Sequence, residues 1–275
     1  MNRKLMFLSR SLVLLVVIAT ICVAGQNQTM PFLNIANSPD PKRVEVIPLD
    51  GAHQSSLPPM LDADLKALPP GSFILKNQRD KAMTVVDVVW TYADQAGHSI
   101  QKKLTCDGYY FGPVRSIVKP KNLSLITPSG YTPQEHFDRL PSTGVLDPLS
   151  WSAKEKSVMT GPISLATVSI DSIIYEDGQI WGPDTHRYYE NVLNRRSIMQ
   201  SLSTELSEAS KSGEGVATRL EKIHKESASA GDRRSSWRHH YAGLIKNSPN
   251  LEGTLKQLDA QEALPEFQHI SGDKQ

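Results

Sequence analysis

The uneven distribution of proline is the feature that most constrains the fold of this chain. Of its 18 prolines, 16 lie before residue 184, and only Pro249 and Pro265 follow. Proline interrupts helix interiors and favours turns, so we expect strands and loops in the front of the chain and helices in the back. The sequence therefore predicts an α+β fold, in which an antiparallel β-sandwich is followed by an α-helical C-terminal region.

The N-terminus has the three parts of a secretory signal. Three basic residues within the first ten precede an apolar stretch, Leu12–Ala24, which ends in small residues where a signal peptidase cuts. This stretch has 13 residues, whereas a membrane-spanning helix takes about 20. We therefore predict that residues 1–24 are a signal peptide, cleaved after Ala24 or Gly25, and that the protein is exported to the periplasm or secreted. The alternative is that the segment stays uncleaved and anchors the protein in the membrane.

Charge and cysteine content argue against a nucleic-acid-binding protein and against a fold held together by disulfides. Without its first 24 residues, which hold three of the 30 Lys and Arg, the chain has 27 basic and 29 acidic residues. This balance gives no electrostatic reason to expect nucleic acid as a partner. Cys106 would be the one cysteine left, so the exported chain would have no internal disulfide and its core must stabilise it. We expect Cys106 to be a half-buried small side chain without a redox role.

Apolar residues at alternate positions predict most of the strands. The clearest strand is Met83–Tyr92, whose even-numbered apolar residues share one face, and we expect Trp90 on that face to be buried between two sheets. The turn at 94–97 and the pair Asp177-Gly178 predict two hairpins. The remaining predicted strands are Val44–Ile47, Ser72–Asn77, His98–Thr105, Tyr109–Val118, Asn122–Thr127, Ile163–Glu176 and Gln179–Trp181.

Apolar residues at three- and four-residue steps predict four helices after the last strand. We expect Asp184 or Thr185 to cap the first helix and Asp232 to cap the third. Gly213 should end the first helix, and Pro249 should open the fourth, since proline fits the first helical position.

These elements divide the chain beyond the signal into three parts. Residues 25–70 are predicted to be an irregular lead-in, 71–183 a β-sandwich domain and 184–275 the helical region. Within the sandwich domain, residues 128–162 contain five prolines and are predicted to form one long loop. Loops of that length are uncommon in compact domains and are often functional or disordered.

Two segments resemble parts of known exported proteins. The first consists of Leu75-Lys76-Asn77, Val85, Val88, Trp90, Tyr92, Asp94 and Gly97. It resembles the early hairpin of small Ig-like β-sandwich modules in exported bacterial proteins. In those modules an apolar strand ends at an aromatic residue, and an Asp-x-x-Gly turn follows. The second, Ile170–Gly178 with Gly182-Pro183-Asp184, looks like the join between a β-sandwich and a helical tail in uncharacterised exported bacterial proteins. The resemblance implies an Ig-like sandwich and export, and it implies no activity.

Aromatic and basic residues are the candidate contacts for a partner, because such side chains dominate binding energies. Two of them come from a run of three aromatics, of which a strand must expose at least one. Two arginines lie beside Trp237 on a predicted helix, where the alternative is an apolar core stripe flanked by solvated arginines. The candidate binding residues are Tyr109, Tyr110, Trp151, Arg234 and Arg238.

Acidic residues near the last hairpin raise the question of a calcium site, since calcium takes six to eight oxygen ligands. Asp171, however, lies within a predicted strand, Asp177 precedes a turn glycine, and Asp184 is a candidate helix cap. Ordinary structural roles therefore explain these residues, Glu176 included, and we expect neither a metal ion nor a cofactor.

The sequence contains no local motif for a catalytic nucleophile or a phosphate-binding loop. We therefore expect a non-catalytic binding or structural protein of the cell envelope, whose partner is a protein or an envelope polymer. The alternative is a secreted hydrolase with a dispersed active site, using His136 with Asp138 or the region of His239.

Overall fold

Two β-sheets and four α-helices make up the part of the chain that the computed structural model describes, and all four helices lie toward the C-terminus. The described residues are 32–37, 42–49, 68–139, 157–228, 232–260 and 263–270. The predicted signal peptide, residues 140–156 of the Pro-rich segment and Trp151 lie outside them. The α+β prediction, with the helices in the C-terminal part, is confirmed, although one short strand, Gln268–His269, follows the last helix.

The strands fall into two sheets and are numbered in chain order. The larger sheet contains β1 (Phe32–Asn37), β4 (Met83–Asp94), β5 (Ser99–Asp107), β8 (Ile163–Tyr175), β9 (Gln179–Trp181) and β10 (Gln268–His269). Its path runs β10-β9-β8-β4-β5, and β1 pairs with β8 beside this path. The smaller sheet, in the order β2-β3-β6-β7, contains β2 (Val44–Pro48), β3 (Phe73–Asn77), β6 (Leu123–Thr127) and β7 (Gly130–Pro133).

Two pairings in the larger sheet are parallel, although the sequence predicted antiparallel strands throughout. β1 pairs in parallel with the first part of β8, and β10 pairs in parallel with β9. Parallel partners are joined by long connections, so no turn motif marks them in the sequence. The two hairpins that turn motifs did predict, β4–β5 and β8–β9, are confirmed.

The main apolar core lies between the two sheets and is built around Trp90. None of this side chain is exposed, and its ring centroid lies 6.3 Å from that of Phe73 in β3. Its indole Nε1 donates a hydrogen bond of 2.8 Å to the carbonyl oxygen of Gly71. Val86, Val88 and other alternate residues of β4 pack in the same cluster, because alternate side chains of a strand point to one face. The prediction that Trp90 is buried between two sheets is confirmed.

Residues 109–118 form turns and bends, so the predicted strand Tyr109–Val118 is wrong. The segment folds back on itself, and the amide of Arg115 donates to the carbonyl oxygen of Gly108 at 3.0 Å. The backbones approach so closely that a Cβ on Gly108 would lie 1.9 Å from the Arg115 oxygen. Val118 is joined to the larger sheet by an isolated bridge to Met83.

The Pro-rich segment 128–162 is more regular than predicted. The strand β7 lies near its start, and a 3-10 helix, Gln134–Arg139, follows directly. Prolines therefore flank short elements here, since proline suits edge strands and turns. The expectation of one continuous loop across the whole segment is wrong for residues 130–139.

The four helices begin near the predicted positions, but two of the caps differ. They are α1 (Tyr188–Lys211), α2 (Val216–Ala228), α3 (Arg233–Lys246) and α4 (Leu251–Asp259). Asp232 caps α3 as predicted. The N-cap of α1 is Arg187, at φ 48° and without a capping hydrogen bond from its side chain, while the Asp184 carboxylate accepts from the amide of Tyr188 at 2.8 Å. Asn250 caps α4, one residue after the Pro249 that was predicted to open it.

The helices enclose an apolar cluster of their own. Leu202 and Leu206 of α1 pack there with Ile223 of α2 and Ile245 of α3. Among the helices of the described residues, none is both long enough and apolar enough to cross a membrane. Side chains that join this cluster to the larger sheet, above all Arg195, position the surface described next.

Candidate functional site

A groove opens between α1 and the start of α3, with a cavity volume of about 170 Å³. One wall offers amide side chains of α1, and the other offers the first turn of α3. The residues that line it are Asn191, Asn194, Ile198, Arg233, Arg234 and Trp237. Arg233 and Arg234 are both exposed. The groove therefore presents cationic and hydrogen-bonding groups beside an aromatic ring.

A cluster of aromatic rings holds Trp237 in place at the edge of this groove. Trp237 stacks on Tyr241 with ring centroids 5.7 Å apart, and the exposed Tyr110 contacts it edge-on at 6.5 Å. Burial raises the pKa of Tyr241 to about 12, so its hydroxyl stays protonated and donates to the carbonyl oxygen of Tyr110 at 2.9 Å. Tyr110 also hydrogen-bonds His240. The 108–115 loop and α3 are thereby joined.

Arg195 forms the base of the aromatic cluster. It is only 1% exposed and pairs with Asp107 at the end of β5. Its guanidinium carbon lies 5.1 Å from the Trp237 ring centroid, and Tyr188 donates to the same Asp107 carboxylate at 3.0 Å. Burial alone would lower the pKa of Arg195, but the Asp107 charge outweighs burial and raises it. A charged, buried pair therefore joins the sheet to two helices.

The predicted contact residues lie in different places in the structure. Tyr110 is 40% exposed beside the groove, and Arg234 lines it. The prediction of Tyr109 as a contact residue is wrong, because this side chain is 2% exposed and packs on Phe267 in the core. Arg238 forms an ion pair with Glu205, which leaves it less available to a partner. Trp151 lies outside the described residues.

The groove residues that were not among the predicted contacts are the two asparagines, Ile198, Arg233 and Trp237. Asn191 and Asn194 lie on one side of α1 at a three-residue step, which places them together on a helix surface. Their approach to α3, about 40 positions away in the chain, depends on tertiary packing. Only the pairing of Arg234 with Trp237 on one helix was visible in the sequence.

A second polar cluster lies on the face of the larger sheet that points away from the smaller sheet. It joins Asp87 of β4, Asp171 of β8 and His186 of the turn before α1. His186 Nδ1 lies 3.0 Å from Asp171 Oδ2 and 3.4 Å from Asp87 Oδ2. The sequence did not predict this cluster, because its members lie far apart in the chain and only pairing of the strands brings them together.

A β-bulge directs the Asp171 side chain into this cluster. The register places Asp87 opposite Ser172 and Val88 opposite Ile170, which leaves Asp171 as the extra residue. Ile170 and Ile173 both face the core between the sheets, although residues three apart on a regular strand face opposite sides. Bulges redirect side chains in this manner and are frequent beside functional sites.

The turn between β9 and α1 is fixed on the bulge by several hydrogen bonds. Thr185 donates to Asp171 Oδ1 from its hydroxyl at 2.6 Å and from its amide at 3.3 Å. Burial alone would raise the pKa of Asp171, but hydrogen bonds from Thr185 and His186 outweigh burial and lower it. Asp184 and Arg187 in the same turn have positive φ, a conformation that non-glycine residues adopt only when their surroundings impose it.

Cys106 of β5 packs in the main core and corrects another expectation. It is buried, at 3% exposure, where half-burial was predicted. Burial, together with the charges of Asp87 and Asp107, raises its pKa to about 12. The thiol is therefore neutral and acts as a small apolar side chain.

The two histidines of the alternative hydrolase hypothesis have different surroundings. His136 is exposed on the 3-10 helix, and the side chain of Asp138 lies outside the description. His239 stacks on His224 with ring centroids 3.8 Å apart. The Nδ1 atoms of the two rings lie 2.9 Å and 3.2 Å from each other's backbone carbonyl oxygens. These contacts join α2 to α3 and give His239 a structural role.

Comparison with known proteins finds no relative of this chain. The chain matches no protein family, no curated protein and no solved structure.

Proposed function

We propose that this chain is an exported, non-catalytic binding protein of the cell envelope, whose groove between α1 and α3 holds an acidic group of an envelope polymer. The observation that carries the proposal is the presence of two exposed arginines and two asparagine amides in one cavity. Guanidinium groups bind carboxylates and phosphates through parallel hydrogen bonds. Amide side chains both donate and accept, so they suit the hydroxyl groups of a sugar.

The size of the groove favours a polymer over a protein as the occupant. Its volume of about 170 Å³ is below the range of about 300–1,000 Å³ that is usual for drug-sized ligands. A stable protein interface covers about 800 Å² on each partner, and a narrow polar groove supplies little of that. A single acidic sugar unit of a longer chain fits the dimensions and the chemistry of this groove.

Binding of a defined acidic polysaccharide tests the proposal. Polygalacturonate should bind the purified protein, and neutral dextran should not. R233A/R234A should weaken binding at least tenfold, because each guanidinium contributes a charge-assisted hydrogen bond of about 1.5–3 kcal/mol. Affinity should also fall as salt rises. The control is K256A, which removes an exposed lysine of α4 that is paired with Glu252.

Three results would contradict the proposal. The first is equal binding of dextran and polygalacturonate, and the second is an unchanged affinity in R233A/R234A. The third is turnover of an ester, peptide or glycan substrate that a single His or Asp substitution abolishes, which would favour the secreted hydrolase. Capture of a protein that competes with polygalacturonate for the groove would replace the polymer with a protein partner.

The location and the scaffold belong to the same proposal. We propose export because residues 1–24 have a basic, apolar and small-residue order. Mass spectrometry of the exported protein should find an N-terminus at Gly25 or Gln26, and an intact Met1 would contradict cleavage. We propose an Ig-like sandwich as the scaffold from the resemblance of residues 75–97, which the contact between Trp90 and Phe73 of opposite sheets supports.

A further inference from the structure

The cluster of Asp87, Asp171 and His186 combines one imidazole with two carboxylates. These residues offer one ligand atom each, and the three atoms lie within 4.8 Å of one another. Imidazole nitrogen and carboxylate oxygen are both ligands of Zn²⁺, which takes three protein ligands and an open position in many sites. Two of the ligands come from adjacent strands of a sheet, so their backbones are held rigidly.

The distances within the cluster fit a tetrahedral ion. Two ligand atoms that each lie about 2.0–2.1 Å from a tetrahedral Zn²⁺ are separated by about 3.3–3.4 Å. The Nδ1 atom of His186 lies 3.0 Å from Asp171 Oδ2 and 3.4 Å from Asp87 Oδ2. Shifts of a few tenths of an ångström would therefore make these distances two edges of a coordination tetrahedron.

One ligand atom of the cluster is buried without a hydrogen bond. Asp87 is fully buried, and its Oδ1 accepts from Thr105 at 2.8 Å. Its Oδ2 has no hydrogen-bond donor, and the ammonium of Lys103 lies 3.0 Å away without hydrogen-bond geometry. A buried carboxylate oxygen is stable only when a cation or a donor compensates it. The Lys103 ammonium supplies that cation here, and the Nδ1 atom of His186 lies 3.4 Å from the same oxygen.

We propose that Asp87, Asp171 and His186 bind a zinc ion, with a fourth coordination position that faces solvent. The His186 side chain is 43% exposed, so an ion can enter from that side. The two aspartates supply two negative charges, and the neutral imidazole supplies the nitrogen ligand. The zinc-bound state joins β4, β8 and the turn before α1 through one ion.

Lys103 is the group that competes with zinc for this position. Its side chain is 36% exposed and reaches Asp87 from β5, so it can swing into solvent when an ion arrives. Replacing it with methionine keeps an apolar stem of similar length and removes the competing charge. K103M should therefore bind zinc more tightly than the wild-type protein, whereas a lysine with a purely structural role would give no gain.

Calorimetric titration of the metal-free, full-length protein with zinc chloride tests the proposal. One ion should bind per chain, H186Q should weaken binding at least tenfold, and K103M should strengthen it several-fold. The matched control is H98Q, because His98 contacts a single carboxylate, Asp94, at 3.1 Å and should leave the affinity unchanged. Cobalt in place of zinc should give the visible absorption of a four-coordinate site, and H186Q should abolish it.

The proposal is overturned by the absence of saturable zinc binding or by an affinity that H186Q does not change. Loss of binding in H98Q would place the ion elsewhere and would also overturn it. Circular dichroism checks that H186Q is folded. If H186Q is unfolded, the zinc affinity of K103M tests the proposal instead. An affinity of K103M equal to or below that of the wild-type protein contradicts the site.

Discussion

The two polar regions of the molecule are built in opposite ways. The groove lies on the surfaces of two helices, and its two long arginine side chains are exposed. The cluster around Asp171 combines two buried, short aspartate side chains on paired strands with the exposed His186 of the adjoining turn. Long exposed side chains can adapt to a flexible ligand, whereas short side chains on strands hold a fixed geometry. The first arrangement suits a polymer and the second suits an ion.

The comparison also separates the residues that stabilise the protein from the residues that bind its ligand. Substitutions in and under the sheet should lower the free energy of unfolding strongly, because they remove buried groups. Substitutions of the groove arginines should leave that free energy nearly unchanged and reduce binding. The predictions below test this difference, in order of decreasing expected effect.

Replacing Trp90 should have the largest effect on stability. Trp90→Ala removes a fully buried ring and its hydrogen bond to Gly71, so it should lower the free energy of unfolding by about 3–5 kcal/mol. Trp237→Ala is the matched change in the helical region and should cost less, because Trp237 is partly exposed. Urea titration measures both, and equal costs would remove the distinction between the two regions.

Breaking the buried ion pair should be nearly as costly. Arg195→Ala leaves Asp107 buried without its charged partner, and the expected loss is about 3 kcal/mol. Arg219→Ala is the control, because its pair with Glu205 is more exposed and should contribute less than about 1 kcal/mol. Chemical denaturation of the two variants distinguishes them, and a loss in R219A that matches R195A would show that burial does not decide the cost.

The turn over the bulge should tolerate no side chain at Gly182. Its φ is 95°, and a Cβ would lie 2.4 Å from the carbonyl oxygen of Asp171. Gly213 has a similar φ of 83° but nothing within 4 Å of the same atom, so Gly213→Ala should cost about 1–2 kcal/mol for strain alone. Gly182→Ala should cost clearly more in thermal unfolding. Equal losses would mean that the turn is not closely packed on β8.

A smaller effect should appear in acid at the β4–β5 hairpin. Burial alone would raise the pKa of Asp94, but hydrogen bonds from His98 and Thr160 outweigh burial and hold it below its ordinary value. A carboxyl group with a lowered pKa in the folded state stabilises the fold above its unfolded pKa of about 3.9, and this contribution is lost as pH falls further. Asp94→Asn should therefore flatten the decline of stability below about pH 4, as acid titrations at fixed urea would measure. A decline as steep as that of the wild type would contradict this role.

The success of sequence reasoning differed between the regions for a physical reason. Period-two alternation identified β4 and the burial of Trp90, because one strand carries the whole pattern. The strand predicted at 109–118 failed, because the close contact between Gly108 and Arg115 is a tertiary feature. The bulge at Asp171 was hidden for the same reason, since it is defined by its register with β4. Arg234 was found because its helix already places it beside Trp237.

Mapping of the ligand on the folded protein tests the central claim most directly, which is that the groove between α1 and α3 binds an acidic polymer. In a titration with an oligomer of galacturonate, followed by amide and indole chemical shifts, the account predicts changes at Asn191, Asn194 and the Trp237 indole. Residues around Thr185 and His186 should show none. Changes confined to the Asp171 cluster, or no saturable change at any residue, would contradict the claim.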